Sequence, residues 1–164
     1  DLNKGAGPIK ADFWRVCILY KFGGIYVDAD IEPIEPIKTF LEKDTDFLTC
    51  VSDKYYDPNP HIIACKSNDI LLKECLNIYE TKFNTTYDYW KHSITRIMTQ
   101  VLSKYKNKYE YDRHNAKNYY IGNYKVQMLL EKTYNKMNEI YCVYKNKKVL
   151  NNRYKEYNIS THNF

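Results

Sequence analysis

The chain has 164 residues with 25 Lys/Arg against 20 Asp/Glu, a length that suits one domain around a single core. It holds no apolar run near the roughly 18 residues a membrane helix needs and no basic-then-apolar leader, so neither a membrane span nor a signal peptide is expected in this segment. Charge is uneven: residues 1–103 carry 12 Lys/Arg against 15 Asp/Glu, while residues 104–164 carry 13 against 5. A basic half with interleaved tyrosines is one signature of nucleic-acid binding; a solvated Lys-rich surface accounts for the same residues, and no nucleic-acid partner is expected.

In chain order, Lys10 to Phe22 reads as a helix, with Asp12 near its start and Gly23 placed to end it through a left-handed cap. Asp12, Arg15 and Leu19 fall on one face, so carboxylate and guanidinium sit side by side. Taken alone, that pair reads as a surface salt bridge. A short apolar strand, Gly24-Ile25-Tyr26-Val27, follows and ends in Asp28 and Asp30. Residues two apart on a strand face one way, and two carboxylates at a strand exit are placed to hold a divalent cation. Hard oxygen ligands suit Mg²⁺ or Mn²⁺.

Beyond them, Ile31 to Pro36 reads as a proline-broken exit and Ile37 to Leu41 as a short helical turn. Phe47–Val51 and His61–Cys65 read as strands around an Asp57-Pro58-Asn59-Pro60 turn. Ser67 is placed to cap a helix from about Asp69 to Phe83 with Ile70, Leu71 and Ile78 inward. Ile94, Ile97, Met98, Val101, Leu102 and Tyr105 recur at helical spacing, a core-packing stripe. Asp88 reads as a helix N-cap, or as an acidic residue in an aromatic setting worth testing. Near the end, Ile140–Tyr144 and Val149-Leu150 flank Lys145-Asn146-Lys147-Lys148 as a hairpin. The five cysteines (17, 50, 65, 75 and 142) form no C-x-x-C pair, so neither zinc nor a disulfide framework is indicated, and buried thiols are expected. Sequons at Asn84 and Asn158 matter only in a secretory pathway.

The string A-D-x-x-R-x-x-x-L-Y-x-x-G-G-I-Y-x-D-x-D, complete from Ala11 to Asp30, resembles the DXD-containing sugar transferases of glycosyltransferase family 32 and, more distantly, the glucosylating bacterial toxins. A haloacid-dehalogenase phosphatase is a poorer fit, because Glu32 stands where that family has Thr or Val. The resemblance implies an α/β, GT-A-type nucleotide-diphospho-sugar transferase fold, a mixed sheet flanked by helices, with residues 1–164 part of a single GT-A catalytic domain. It implies a retaining, metal-dependent transferase that moves a hexose from UDP or GDP to a glycan, lipid or protein acceptor, with Mn²⁺ or Mg²⁺ as cofactor. By the same resemblance Asp12, Arg15, Tyr26 and Asp28 contact the donor, and Asp28, Asp30 and His162 serve the metal. A histidine so near a chain end also reads as a frayed terminus.

Relatives begin with a nucleotide-binding half, so this chain is expected to be the C-terminal portion of such an enzyme, lacking the N-terminal strands and binding nucleotide weakly by itself. Downstream the match thins. His61 stands where many relatives have Asn, and Ser93-Ile94-Thr95 falls where they have T-G-P, on the acceptor side. The alternative is a non-catalytic remnant that binds sugar nucleotide weakly or serves as an interaction surface. Cytoplasm and Golgi lumen stay equally open as compartments.

Overall fold

The computed structural model describes residues 7–52, 54, 57–82, 88–105, 118–134 and 139–153, without the side chains of residues 89 and 90. His162 and both sequons lie outside the described residues. The chain folds as a mixed α/β domain. Helix α1 (Gly7–Phe22) leads into β1 (Gly24–Val27) and β2 (Ile31–Pro33), and a 3-10 turn (Ile37–Thr39) precedes β3 (Phe47–Ser52) and β4 (Ile62–Cys65). Helices α2 (Ile70–Lys82), α3 (Tyr89–His92) and α4 (Ile94–Ser103) come next. Strands β5 (Asn118–Ile121), β6 (Tyr124–Tyr134), β7 (Glu139–Tyr144) and β8 (Lys147–Asn152) end the described chain.

All eight strands join one sheet in the order β1-β4-β3-β6-β7-β8-β2, with β5 also paired to β6. Among the described strands only β3 and β6 run parallel. The end strands of that order, β1 and β2, are separated by Asp28-Ala29-Asp30 alone, and a linker that short reaches little more than about 14 Å. The sheet therefore curls until its two ends meet at the acidic turn. Two cores follow from the curl. On one face α1, α2 and α4 pack Val16, Leu19, Leu71, Leu72, Ile97 and Met98 against Phe47, Val51, Ile63, Val126 and Met128. On the other, Leu48, Cys50, Ile62, Ala64 and Leu129 meet Ile31, Val149 and Leu150 from the far strands of the same sheet.

Several local expectations change. Asp69, not Ser67, caps α2, its Oδ1 accepting from the amides of Leu71 and Leu72 at 3.0 Å each. Ile70 is exposed; Leu71, Leu72, Cys75 and Tyr79 face the core, with Ile78 half-buried. The proline-broken exit contains an edge strand, β2, where Pro33 is tolerated. The terminal hairpin turns on two residues, Lys145 and Asn146, both at positive φ (48° and 63°), which fits a primed turn whose twist matches the flanking strands. Lys147 and Lys148 therefore belong to β8. The β5–β6 hairpin, with the central strand of the whole sheet, is absent from the sequence reading.

Candidate functional site

Gly23 makes the junction between α1 and β1 possible. Its amide bonds the Leu19 carbonyl at 2.7 Å, and its φ of +66° lies in the left-handed region. A Cβ there would stand 2.6 Å from the Ser67 amide nitrogen. The tight turn lays β1 back along the helix, so the residues after β1 return to the face of α1 that carries Asp12 and Arg15.

That face is buried: Asp12 is 6% exposed and Arg15 9%, which removes the surface-salt-bridge reading. Arg15 ties the cluster together. Its Nη2 meets Asp12 Oδ1 at 3.1 Å and its Nη1 meets Asp28 Oδ1 at 3.2 Å, while Nη1 also donates to the Pro60 carbonyl at 3.0 Å. The guanidinium lies 4.3 Å from the centre of the Tyr26 ring, a cation–π contact, and the Tyr26 hydroxyl donates to Asp28 Oδ1 at 2.6 Å. Arg15 Nε is buried and has no hydrogen-bond partner among the described residues. Asp12 Oδ2 accepts from the Ile94 amide at 3.0 Å, so one carboxylate serves both Arg15 and the start of α4. Ser93, the N-cap of α4, accepts from the Arg96 amide. The Ser93-Ile94-Thr95 segment thus stands beside the cluster.

The acidic turn is fixed at both ends. The Asp28 amide donates to the His61 carbonyl at 2.8 Å, the Ile31 amide closes back on the Asp28 carbonyl at 3.0 Å, and the Arg153 amide donates to the Asp30 carbonyl at 2.7 Å. Two carboxylates, Asp12 and Asp28, share the single guanidinium of Arg15, and Asp30 stands beside them in the same turn. Burial, and then the neighbouring Asp28 charge, push the Asp30 carboxyl above its ordinary range, partly offset by its own amide and by His61. Burial likewise raises Asp12 against the pull of Arg15 and the Ile94 amide. An excess of half-buried carboxylate oxygens is the donor chemistry that a hard divalent cation satisfies, so Asp28 and Asp30 fit one.

Of the residues singled out in the sequence, Asp12, Arg15, Tyr26 and Asp28 are joined by direct contacts, with Asp30 in the same turn. Asp88 is elsewhere in role: it accepts from the Lys91 amide at 3.3 Å and pairs with its Nζ at 3.2 Å, which is capping of α3. The Pro60 carbonyl and the Ile94 amide were missed, since backbone groups from distant segments leave no side-chain signature.

No helix among the described residues is long and apolar enough to cross a membrane. Neither the curated proteins nor the solved structures contain a match to this chain. Residues 3–47, the stretch that holds α1, β1 and the acidic turn, match the family model described as the glycosyltransferase sugar-binding region containing the DXD motif.

Proposed function

We propose that this chain is the metal- and sugar-binding part of a GT-A hexosyltransferase that uses UDP- or GDP-hexose and Mn²⁺ or Mg²⁺, and transfers to a glycan, lipid or protein acceptor with retention. The single observation that carries the reading is the convergence of Asp12, Arg15, Tyr26 and Asp28 on one buried ion-paired cluster beside Asp30, within the segment that matches the DXD family model. Asp28 and Asp30 would hold the metal, and His162 would complete it. Bound there, the cation supplies positive charge to a diphosphate leaving group, a role that needs no nucleophile on the protein.

The chain's own residues then do the positioning. Arg15, fixed by two carboxylates, a carbonyl and an aromatic face, holds Asp28 in one orientation. Asp12 offers a buried carboxylate to sugar hydroxyls while its second oxygen stays on the Ile94 amide. Tyr26 donates to the Asp28 oxygen that Arg15 also meets, which leaves the other oxygen of that carboxylate for a ligand.

Titration of the full chain with Mn²⁺ in the presence of UDP and of GDP tests the proposal. Nucleotide binding is expected to be metal-dependent and weak, with Kd of about 0.1–1 mM, and to disappear in Asp30→Asn while circular dichroism stays unchanged. Mn²⁺-dependent binding that survives in Asp30→Asn would sink the metal assignment. Absence of any metal-dependent binding in the unsubstituted chain would favour the non-catalytic alternative.

A further inference from the structure

Outside the acidic turn, the described residues contain one compact set of metal-ligating side chains: Cys50 on β3, Cys142 on β7 and His61 just before β4, whose ligand atoms all lie within 4.8 Å of one another. Both thiols are free and fully buried, and His61 is 4% exposed. Cys50 Sγ stands 3.5 Å from Cys142 Sγ, and His61 Nε2 stands 3.2 Å from Cys142 Sγ. The other ring nitrogen, Nδ1, is buried without a hydrogen bond among the described residues; Glu131 Oε2 lies just outside bonding range at 3.6 Å, held by Asn59 Nδ2 at 2.9 Å.

We propose that Cys50, Cys142 and His61 Nε2 form a zinc site, distinct from the hard-cation site at Asp28 and Asp30, with Glu131 as the outer partner of the ligating imidazole. Zn–S bonds of about 2.3 Å and Zn–N bonds of about 2.0–2.1 Å in a tetrahedron give edges of about 3.8 Å between sulfurs and about 3.5 Å between sulfur and nitrogen. The Cys50–Cys142 and His61–Cys142 separations fall short of those edges by only a few tenths of an ångström, and the Cys50–His61 separation is within 4.8 Å, so a small adjustment of the three side chains admits the ion. Two thiolates and a neutral imidazole around Zn²⁺ sum to zero charge, which suits a core position. Soft thiolate ligands select zinc over Mg²⁺ or Mn²⁺. Glu131 Oε2, 3.6 Å from His61 Nδ1, stands on the side where the outer carboxylate of a carboxylate–histidine–metal relay would lie.

A disulfide is the competing use of the two sulfurs. Cys50 and Cys142 sit on strands that flank β6 from opposite sides, and their sulfurs stand 3.5 Å apart, against about 2.05 Å for a disulfide bond. The site's consequence is positional. It would clamp β3, β7 and the His61 segment together, and His61 is the residue whose carbonyl holds the Asp28 amide at 2.8 Å.

The test loads the full chain with Zn²⁺ alone, removes excess by desalting and measures bound metal by mass spectrometry. A single zinc is expected to remain, equally in Asp28→Asn/Asp30→Asn, and to be lost in Cys142→Ala and Cys50→Ala. Glu131→Gln is expected to weaken zinc binding roughly 10- to 100-fold. Because a cysteine variant can fail to fold, Co²⁺ loading of the unsubstituted chain gives an independent readout: sulfur-to-cobalt charge-transfer absorption with tetrahedral visible bands. Failure to retain zinc, a Co²⁺ form without charge-transfer absorption, or zinc lost on substituting Asp28 and Asp30 would each overturn the site. So would a mass lower by two hydrogens in the freshly purified chain, which would mark the sulfurs as a disulfide.

Discussion

Arg15 carries more of the cluster's geometry than either carboxylate it joins, because a planar fork reaches Asp12 and Asp28 at once and still stacks on Tyr26. Lysine keeps the charge and loses the fork. Under the proposed function, Arg15→Lys is therefore expected to give up at least one charge-assisted bond worth about 1.5–3 kcal/mol, which lowers the proposed sugar transfer roughly 10- to 100-fold while metal-dependent nucleotide affinity changes little. Steady-state kinetics of transfer and of donor hydrolysis check this; normal values for both would return the pair to a structural role. The pairing of Asp12 with Arg15 was legible from helical spacing, whereas their gathering with Asp28 followed from the family resemblance. What spacing left open was burial, since the same i, i+3 pattern serves a solvated face equally well. Cys50, His61 and Cys142 were illegible as a group for a related reason: they are drawn together by pairing across β3, β6 and β7, and no local spacing encodes that.

At the scale of elements, legibility follows periodicity. Helix α4 was plain because Ile94, Ile97, Met98, Val101 and Leu102 repeat at helical intervals and all are buried. Strand β6 was hidden for the opposite reason. Its sequence, Tyr124 to Tyr134, is rich in Met, Leu, Glu, Gln and Lys, good helix formers, and it shows no alternation because a central strand is buried on both faces. Its polar residues are accommodated by partners: Gln127 donates to the Phe40 carbonyl and accepts from the Thr45 hydroxyl, and Lys125 pairs with Glu42 and Asp44. The α1–β1 junction makes a sharper prediction. At Gly23 an added methyl would both occupy a left-handed conformation and press on backbone atoms of Lys66 and Ser67, whereas at Gly24, with φ +105°, nothing lies within 4 Å. Gly24→Ala is expected to cost about 1–2 kcal/mol from backbone strain. Gly23→Ala should cost about 1–2 kcal/mol more, and urea unfolding of the two variants measures the difference. Equal losses would mean that the α1–β1 turn shifts freely away from Ser67.

For the whole molecule, the curl of the sheet is what brings β1 and β2 to a shared turn, and it needs the strands after β6 to stay registered. One network at the end of the sheet ties them. Glu42, in the segment before β3, accepts from Asn118 on β5 at 2.8 Å, from the Tyr144 hydroxyl on β7, from Lys145 Nζ in the β7–β8 turn at 2.6 Å and from Lys125 Nζ on β6. Burial pushes the Glu42 carboxyl up, but these bonds, led by Lys125, outweigh it and hold the group down at about 2, against an ordinary value of 4.5. A carboxyl depressed in the folded state binds fewer protons there than in the unfolded chain, so its stabilisation is complete above pH about 4.5 and drains away as pH falls toward 2. Allowing for partial exposure of Glu42, the loss is on the order of 2 kcal/mol. Chemical denaturation between pH 6 and pH 2 is therefore expected to show a steep acid limb in the unsubstituted chain. In Glu42→Gln the limb should be shallower by about that amount and stability at neutral pH lower, because an amide keeps some hydrogen bonds but cannot pair with two lysines. An acid limb of unchanged steepness in Glu42→Gln would mean that other carboxylates set the acid stability of this fold and that the Glu42 network does not hold the curled end of the sheet.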